Sequence, residues 1–349
     1  IFLFRKAYIY TMILVTGATG LVGVQLLADL LLKEVKIRAL YRTEAKIASS
    51  QKIIQQKLGK QAETLLTKIE WVKADITRIP ELTDAFEGID HVYHCAGLIS
   101  YDPKDYKALR KINIEGTANV VNISLSKNIK KFCHVSSIAA LGSELNNQKV
   151  TENSPRNNEL EYDNYSICKY GAEMEVWRAS QEGLNVVIVN PGVIIGSGNW
   201  NTGSGQIFSR IDKGLSYYLP LVTGFVAVED VSSAMIKLME AEIKNERFIV
   251  VGENLSFKEV QGKIAEALNK PQPTKALQPW MVFLGWIFQS IGSFLFNTNK
   301  EITRKSIKAA FNKTYYDHTK IKTALPTFEF TSIDKAVKTT AAFYVEDQQ

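Results

Sequence analysis

The stretch Met12–Gly23, MILVTGATGLVG, decides how the rest of the chain is read. Met12–Gly17 is a short apolar, β-branched run ending in glycine, which reads as a buried strand. A helical pattern then runs from about Gly20 to Lys33. A glycine-rich turn between strand and helix is often only a turn, but it also has the chemistry of a pyrophosphate site. One glycine permits the tight turn, one lets the backbone approach the phosphates, and one lets helix and strand pack closely. The helix N-terminus adds N–H groups and the positive end of its dipole. The spacing of Gly17, Gly20 and Gly23 is GxxGxxG, a variant of the GxGxxG dinucleotide fingerprint. Gly17, Thr19, Gly20, Leu21, Val22 and Gly23 are therefore the first candidate cofactor contacts.

Outward from this loop, five more strand candidates follow: VKIRALY (35–41), IEWVKAD (69–75), HVYHCAG (91–97), KFCHVSS (131–137) and NVVIVNP (185–191). Segments long enough for crossover helices separate them. The expected fold class is α/β, a doubly wound parallel sheet of Rossmann type covered on both faces. After Pro191 the pattern changes to the turn-rich NWNTGSGQ and then to helices with short strands. The expected division is a dinucleotide-binding domain over 12–192 and a smaller C-terminal, mainly substrate-binding portion over 193–349. Segments at about 220–240 are expected to return to the Rossmann core.

The net charge of +6 is spread along the chain rather than gathered in a block, which argues against a nucleic-acid partner. A basic balance also suits a phosphorylated cofactor. The three cysteines are an odd number, so a disulfide framework is not expected and a reducing, cytoplasmic setting is. His91 and His94 lie three apart in a strand, which points them to opposite faces, and no metal site is expected. Residues 1–11, IFLFRKAYIYT, read as an upstream leader before Met12, the expected natural start. Ala276–Asn299 carries no charged residue and includes Trp280, Phe283, Trp286, Phe288 and Phe294. Its readings are a helix covering an apolar substrate pocket, a peripheral membrane contact, or plain core or dimer contact.

The end of the second strand bears on which cofactor binds. It reads Ala39-Leu40-Tyr41-Arg42-Thr43, with no carboxylate before Glu44 to meet ribose hydroxyls. Arg42 is the candidate clamp for a 2′-phosphate; its other reading is a solvated surface arginine. NADP(H) is favoured and NAD(H) stays open. Tyr165 and Lys169 lie four apart, on one face of a helix. The lysine charge is expected to lower the phenol pKa toward neutrality, so that tyrosine exchanges a proton with a carbonyl or alcohol oxygen. That spacing alone is a poor signal, because Tyr316 and Lys320 share it. What separates Tyr165 is the pair Ser136 and Ser137 at the end of the fifth strand, where a hydroxyl can orient the substrate oxygen.

Taken together, these motifs resemble the extended short-chain dehydrogenase/reductase family. The matching elements are the GATGLVG loop, Asp75-Ile76, Ala96-Gly97, VSSIAALG, YSICK and NPGVIIG, which includes Pro191 and Val193. The resemblance implies a catalytic set of Ser137, Tyr165 and Lys169, with Ser137 chosen because it stands five residues before Gly142. It further implies that Lys169 also holds the nicotinamide ribose and that Asp75 meets the adenine amino group. Ala96 and Pro191 are implied to border the cofactor. Ala227 stands where the family usually has histidine, and Asn113 is left outside the set. Family dehydratases carry an Asp-Glu pair after the motif serine; Ile138 and Ala139 stand here, which argues against dehydration. The favoured activity is a reductase or alcohol dehydrogenase acting on a hydrophobic small molecule. The alternatives are an NAD-dependent sugar-nucleotide epimerase and a non-catalytic NADP-binding sensor or structural subunit. Homodimers are frequent in the family.

Overall fold

The apolar runs Met12–Thr16, Lys131–Val135 and Val186–Pro191 are buried almost throughout, and the protein pairs them with more polar neighbours in one parallel sheet. A computed structural model describes residues 11–144, 148–157, 160–198, 200–281 and 311–348. The strands are β1 (Met12–Thr16), β2 (Lys36–Tyr41), β3 (Ile69–Lys73), β4 (His91–His94), β5 (Lys131–Val135), β6 (Val186–Pro191), β7 (Val193–Ile195), β8 (Tyr217–Tyr218), β9 (Val222–Ala227), β10 (Glu246–Val250), β11 (Glu253–Ser256) and β12 (Lys275–Ala276). The main sheet has the order β10-β6-β5-β4-β1-β2-β3, with every pairing parallel. Strand order reverses between β1 and β4, which puts a ligand crevice at their carboxyl ends.

Four of the six strands expected from the sequence stop one to three residues early. Gly17, Ala74–Asp75, Cys95–Gly97 and Ser136–Ser137 leave the ladder and form the loops that rim the crevice. The strand β10 is not among those expected; its apolar run is short and carries Arg247 near its start. It extends the main sheet beyond β6 from a position well past residue 192. The doubly wound fold is as expected; the C-terminal half contributes more of it than one helix.

Two apolar layers cover the sheet. On one face Val22, Leu26, Leu27 and Leu30 of the helix Leu21–Leu31 meet Val231, Met235 and Leu238 of the helix Val228–Glu240. On the other, Val120 and Val121 pack with Val176 and Ala179 of the helix Asn164–Gln181. Each fully buried side chain of this size stabilises by about 2 kcal/mol, so the sheet edges that rim the crevice rest on a rigid base. Lys131 fixes the second helix of the first layer from below, donating to the carbonyls of Leu238 and Ala241 at 2.6 Å each and so satisfying its C-terminal end.

A third group, Ile195, Phe208, Phe225, Val260, Ile264, Ile333 and Val337, forms the core of the C-terminal portion. The sheet β11-β9-β7 joins it to the strands above. The leader residues 1–10 and 282–299 of the charge-free segment lie outside the described residues. Among the described residues, no helix is long and apolar enough to cross a membrane.

Candidate active site

Gly17 follows β1 with φ of +65°, the left-handed region that glycine alone adopts freely. A Cβ there would lie 2.5 Å from the backbone nitrogen of Ala96, so the loops after β1 and β4 touch only because Gly17 has no side chain. Gly23 answers to the same geometry from the helix: its Cβ would sit 2.2 Å from the Gly17 carbonyl oxygen. Gly20 caps the helix Leu21–Leu31 without a side-chain hydrogen bond, and no carboxylate occupies the first turn. The N–H groups of Leu21, Val22 and Gly23 and the dipole end are thus not countered by the protein's own acid. Val22 points into the core, whereas Leu21 lies against Gly198, where an added Cβ would meet it at 3.1 Å. Thr19 is half-buried in the turn. This backbone cradle fits a pyrophosphate.

Arg42, Asp75 and Ile76 follow the ends of β2 and β3. Asp75 accepts from the Thr77 N–H and hydroxyl, both at 2.8 Å, which holds its side chain at the mouth of the crevice. Burial pushes its carboxyl up, but the Thr77 bonds and the charges of Arg42 and Arg78 prevail and leave it below the usual carboxylate range. Arg42 is exposed at the end of β2 and lies close enough to act on Asp75. Ile76 is buried and packs where a Cβ on Gly116 would touch it at 2.6 Å. Pro191 closes β6, and Val193 starts β7 in register with Phe225.

Asp163 starts the helix Asn164–Gln181 by accepting from the Ser166 N–H at 2.9 Å. Tyr165 is its second residue and Lys169 lies one turn on, so the two share a face. Arg156 locks this end: its guanidinium lies between the rings of Tyr162 and Tyr170, 3.7 and 4.5 Å from their centroids. Ser166 Oγ donates to the Ala139 carbonyl at 2.6 Å, tying the helix start to the loop that follows Ser137. Of the two serines ending β5, Ser136 is committed to Glu173, at 2.7 Å. Ser137 instead faces Tyr165 within hydrogen-bonding reach, its Oγ also accepting from the Ala139 N–H at 3.1 Å.

Lys169 Nζ donates to the Val135 carbonyl at 2.8 Å. A Cβ on Gly97 would lie 3.9 Å from that Nζ and 3.4 Å from Asn113 Oδ1, so the loop after β4 passes directly over the lysine. Burial lowers Lys169 to about 8, opposed by the charge of Glu173. The expected drop in the tyrosine pKa does not occur. Burial raises Tyr165 above its ordinary value, Tyr101 adds to this, and the Ser137 hydrogen bond opposes it. The reason is geometric: the lysine amine is held on a backbone carbonyl, and the phenol is shut away from water.

Four residues here lie outside the set expected from the sequence. Asn113, left out of the catalytic set, sits buried in the π-helical turn Arg110–Glu115; it accepts from the Leu98 N–H at 2.7 Å and donates to the Leu98 carbonyl at 2.9 Å. The Tyr101 ring stands 5.7 Å from that of Tyr165 and is 55% exposed. Glu173 and Asn190 lie behind the serines, bonded to each other at 2.9 Å. Glu173 is within reach of sequence periodicity, being four residues past Lys169; the others become neighbours only through the fold.

The comparisons bear on the family and the fold. The family model described as male sterility protein matches residues 15–229, more than half of the chain. A putative dihydroflavonol 4-reductase of Synechocystis sp. is 26% identical over 315 residues, spanning 88% of this chain and 87% of its own. Sterol demethylase protein B of Methylococcus capsulatus is 26% identical over 269 residues, 76% of this chain and 77% of its own. Among solved structures, the UDP-glucuronic acid 4-epimerase of Bacillus cereus, in complex with UDP-glucuronic acid and NAD, matches with a TM-score of 0.75 at 17% identity. That likeness covers 96% of this chain and 99% of the epimerase and speaks for the fold alone.

Proposed function

We propose, from the premise that this chain belongs to the extended short-chain dehydrogenase/reductase family of NAD(P)-dependent oxidoreductases, that it is an NADP(H)-dependent reductase of a carbonyl group on a hydrophobic small molecule. The observation that carries the reading is the convergence of Ser137, Tyr165 and Lys169 beside Gly97, at the carboxyl ends of β4 and β5. The nicotinamide, when bound, supplies the hydride. The protein's part is to hold the carbonyl oxygen and protonate it. Burial keeps the Tyr165 phenol in the protonated form, which is the form that donates in the reducing direction. In this reading Ser137 donates to the same oxygen and orients it, and Lys169 holds the ribose.

The substrate class follows from what borders the phenol. Ile99 and Tyr101, 59% and 55% exposed, follow Gly97 in the chain, and the Tyr101 ring offers an apolar face beside Tyr165. Leaving such side chains in water forgoes about 2 kcal/mol apiece, which an apolar substrate would recover. The cofactor class follows from Arg42, exposed where a ribose-binding carboxylate would otherwise stand. A titration of cofactor-free protein with NADPH and NADH, side by side at one salt concentration, tests it. A preference for NADPH of about tenfold or more, about 1.4 kcal/mol, supports the reading. A preference for NADH, or NAD that cannot be removed, overturns the cofactor assignment and favours the epimerase alternative.

A further inference from the structure

Glu173 has no exposed surface, and it follows Lys169 at the same four-residue interval that separates Lys169 from Tyr165. The three side chains therefore line one face of one helix. The Glu173 carboxylate is a junction. Oε2 accepts from Ser136 Oγ at 2.7 Å and Asn190 Nδ2 at 2.9 Å; Oε1 accepts from Arg247 Nη1 at 2.7 Å and Trp177 Nε1 at 3.3 Å. Asn190 Nδ2 also donates to the Ser137 carbonyl at 3.0 Å. Arg247, on β10, is itself anchored: its Nε donates to the Glu152 carbonyl at 2.8 Å, and the Glu152 carboxylate accepts from the Ile249 N–H at 2.8 Å.

A buried ion pair of this kind contributes little net stability, because desolvation offsets the attraction, and apolar residues of like volume often serve as well. What apolar residues would not do is hold two strand ends and a helix in one register while presenting a negative charge. We propose that Glu173 is the positioning residue of this active site: it ties the Ser136–Ser137 end of β5 and the Asn190 end of β6 to the helix bearing Tyr165 and Lys169, and it supplies the counter-charge of Lys169. This deepens the function proposed above and rests on its assignment of Ser137, Tyr165 and Lys169.

The neighbours of Lys169 leave that charge role to Glu173. His94 and Cys95 face it from the end of β4 and His134 from β5, with the amide of Asn113 and the backbone of Gly97 above. Burial pushes His94 down to about 3 and His134 well below its ordinary value, and it pushes the Cys95 thiol up to about 12. All three are neutral around pH 7. Among the described residues, the Glu173 carboxylate, one turn along the helix and locked by Arg247, is the charged group that opposes the desolvation of the ammonium.

The test uses full-length, cofactor-free protein with lysines labelled at the ε-carbon, the Lys169 signal being identified by its loss in Lys169→Met. Its titration is followed by NMR in the wild type, Glu173→Gln and Glu173→Asp. In Glu173→Gln the midpoint is expected to fall by about one pH unit or more. In Glu173→Asp, which keeps the charge but draws it back, the fall is smaller. A midpoint unmoved in folded Glu173→Gln overturns the proposal. If that variant does not fold, an unmoved midpoint in Glu173→Asp does so. With a carbonyl substrate in hand, Ser136→Ala is expected to lower kcat by about tenfold with KM and NADPH affinity unchanged, since it disturbs the placing of Ser137 alone. Wild-type kcat in Ser136→Ala contradicts the positioning role. Absence of any carbonyl turnover in the wild type would instead count against the proposed function, while the lysine titration still decides the role of Glu173.

Discussion

The chain contains the same Tyr-x-x-x-Lys spacing twice, and the two copies have opposite fates. Tyr165 and Lys169 both lie within the helix Asn164–Gln181, so four residues bring them onto one face. Tyr316 precedes the helix Thr319–Ala324 and Lys320 lies inside it, so the same count confers no common face. Lys169 is buried, donates to a backbone carbonyl and has Gly97 passing over it. Lys320 is half-exposed and forms an ion pair with Glu246. Both phenols are raised by burial, Tyr316 to about 12, but only Tyr165 stands beside a serine at the crevice. Tyr316 serves the architecture: its N–H and carbonyl are bonded by Asn254. The difference teaches that the chemistry lies in what the strand ends bring to the pair, not in the pair.

The largest effect that could break this comparison is the loss of each phenol in turn. Tyr165→Phe is expected to lower carbonyl turnover by roughly 10³-fold with NADPH affinity kept within about threefold. Tyr316→Phe should leave turnover within about twofold. Steady-state kinetics with direct cofactor titration measures both, and equal losses would refute the distinction.

The lysines sharpen it through stability. Folding lowers Lys169 from 10.5 to about 8, so its penalty is fully present below about pH 8 and fades as pH rises toward 10.5. That shift corresponds to about 3 kcal/mol, from which the lost bond to the Val135 carbonyl removes about 1 kcal/mol. Lys169→Met should therefore be inactive yet more stable by about 2 kcal/mol at pH 7, with the gain shrinking above pH 8. Lys320→Met should change stability by less than about 1 kcal/mol, as expected of an exposed pair. Denaturant unfolding at several pH values reads both. For the same reason, wild-type turnover is expected to decline as pH rises through about 8, where Lys169 loses its proton. A smaller effect is expected at Arg42: Arg42→Ser should cost about tenfold in NADPH affinity and leave NADH affinity unchanged, read by side-by-side titration with the two cofactors.

Most of the fold and the centre of the site are legible in the amino-acid sequence. The glycine loop can be read because backbone geometry there admits so few residues that Gly17, Gly20 and Gly23 mark it directly. Strand positions can be read because the central strands are largely apolar, whereas β10, with Arg247 in its short run, and the strand ends cannot: Asp75, Gly97 and Ser137 leave the ladder at the crevice. The sequence misleads on the direction of the Tyr165 shift, since it shows a lysine one turn away but not the Val135 carbonyl that claims its amine. Arg247 is invisible as a partner of Glu173 because 74 residues separate them.

The measurement that tests the central claim most directly is deuterium transfer from specifically labelled NADPH to apolar aldehydes and ketones, run in parallel on wild type, Tyr165→Phe and Tyr316→Phe. The account predicts deuterium on the product alcohol carbon with wild type and Tyr316→Phe, and almost none with Tyr165→Phe. Transfer by Tyr165→Phe at the wild-type rate, or loss of transfer in Tyr316→Phe with Tyr165 intact, would contradict it.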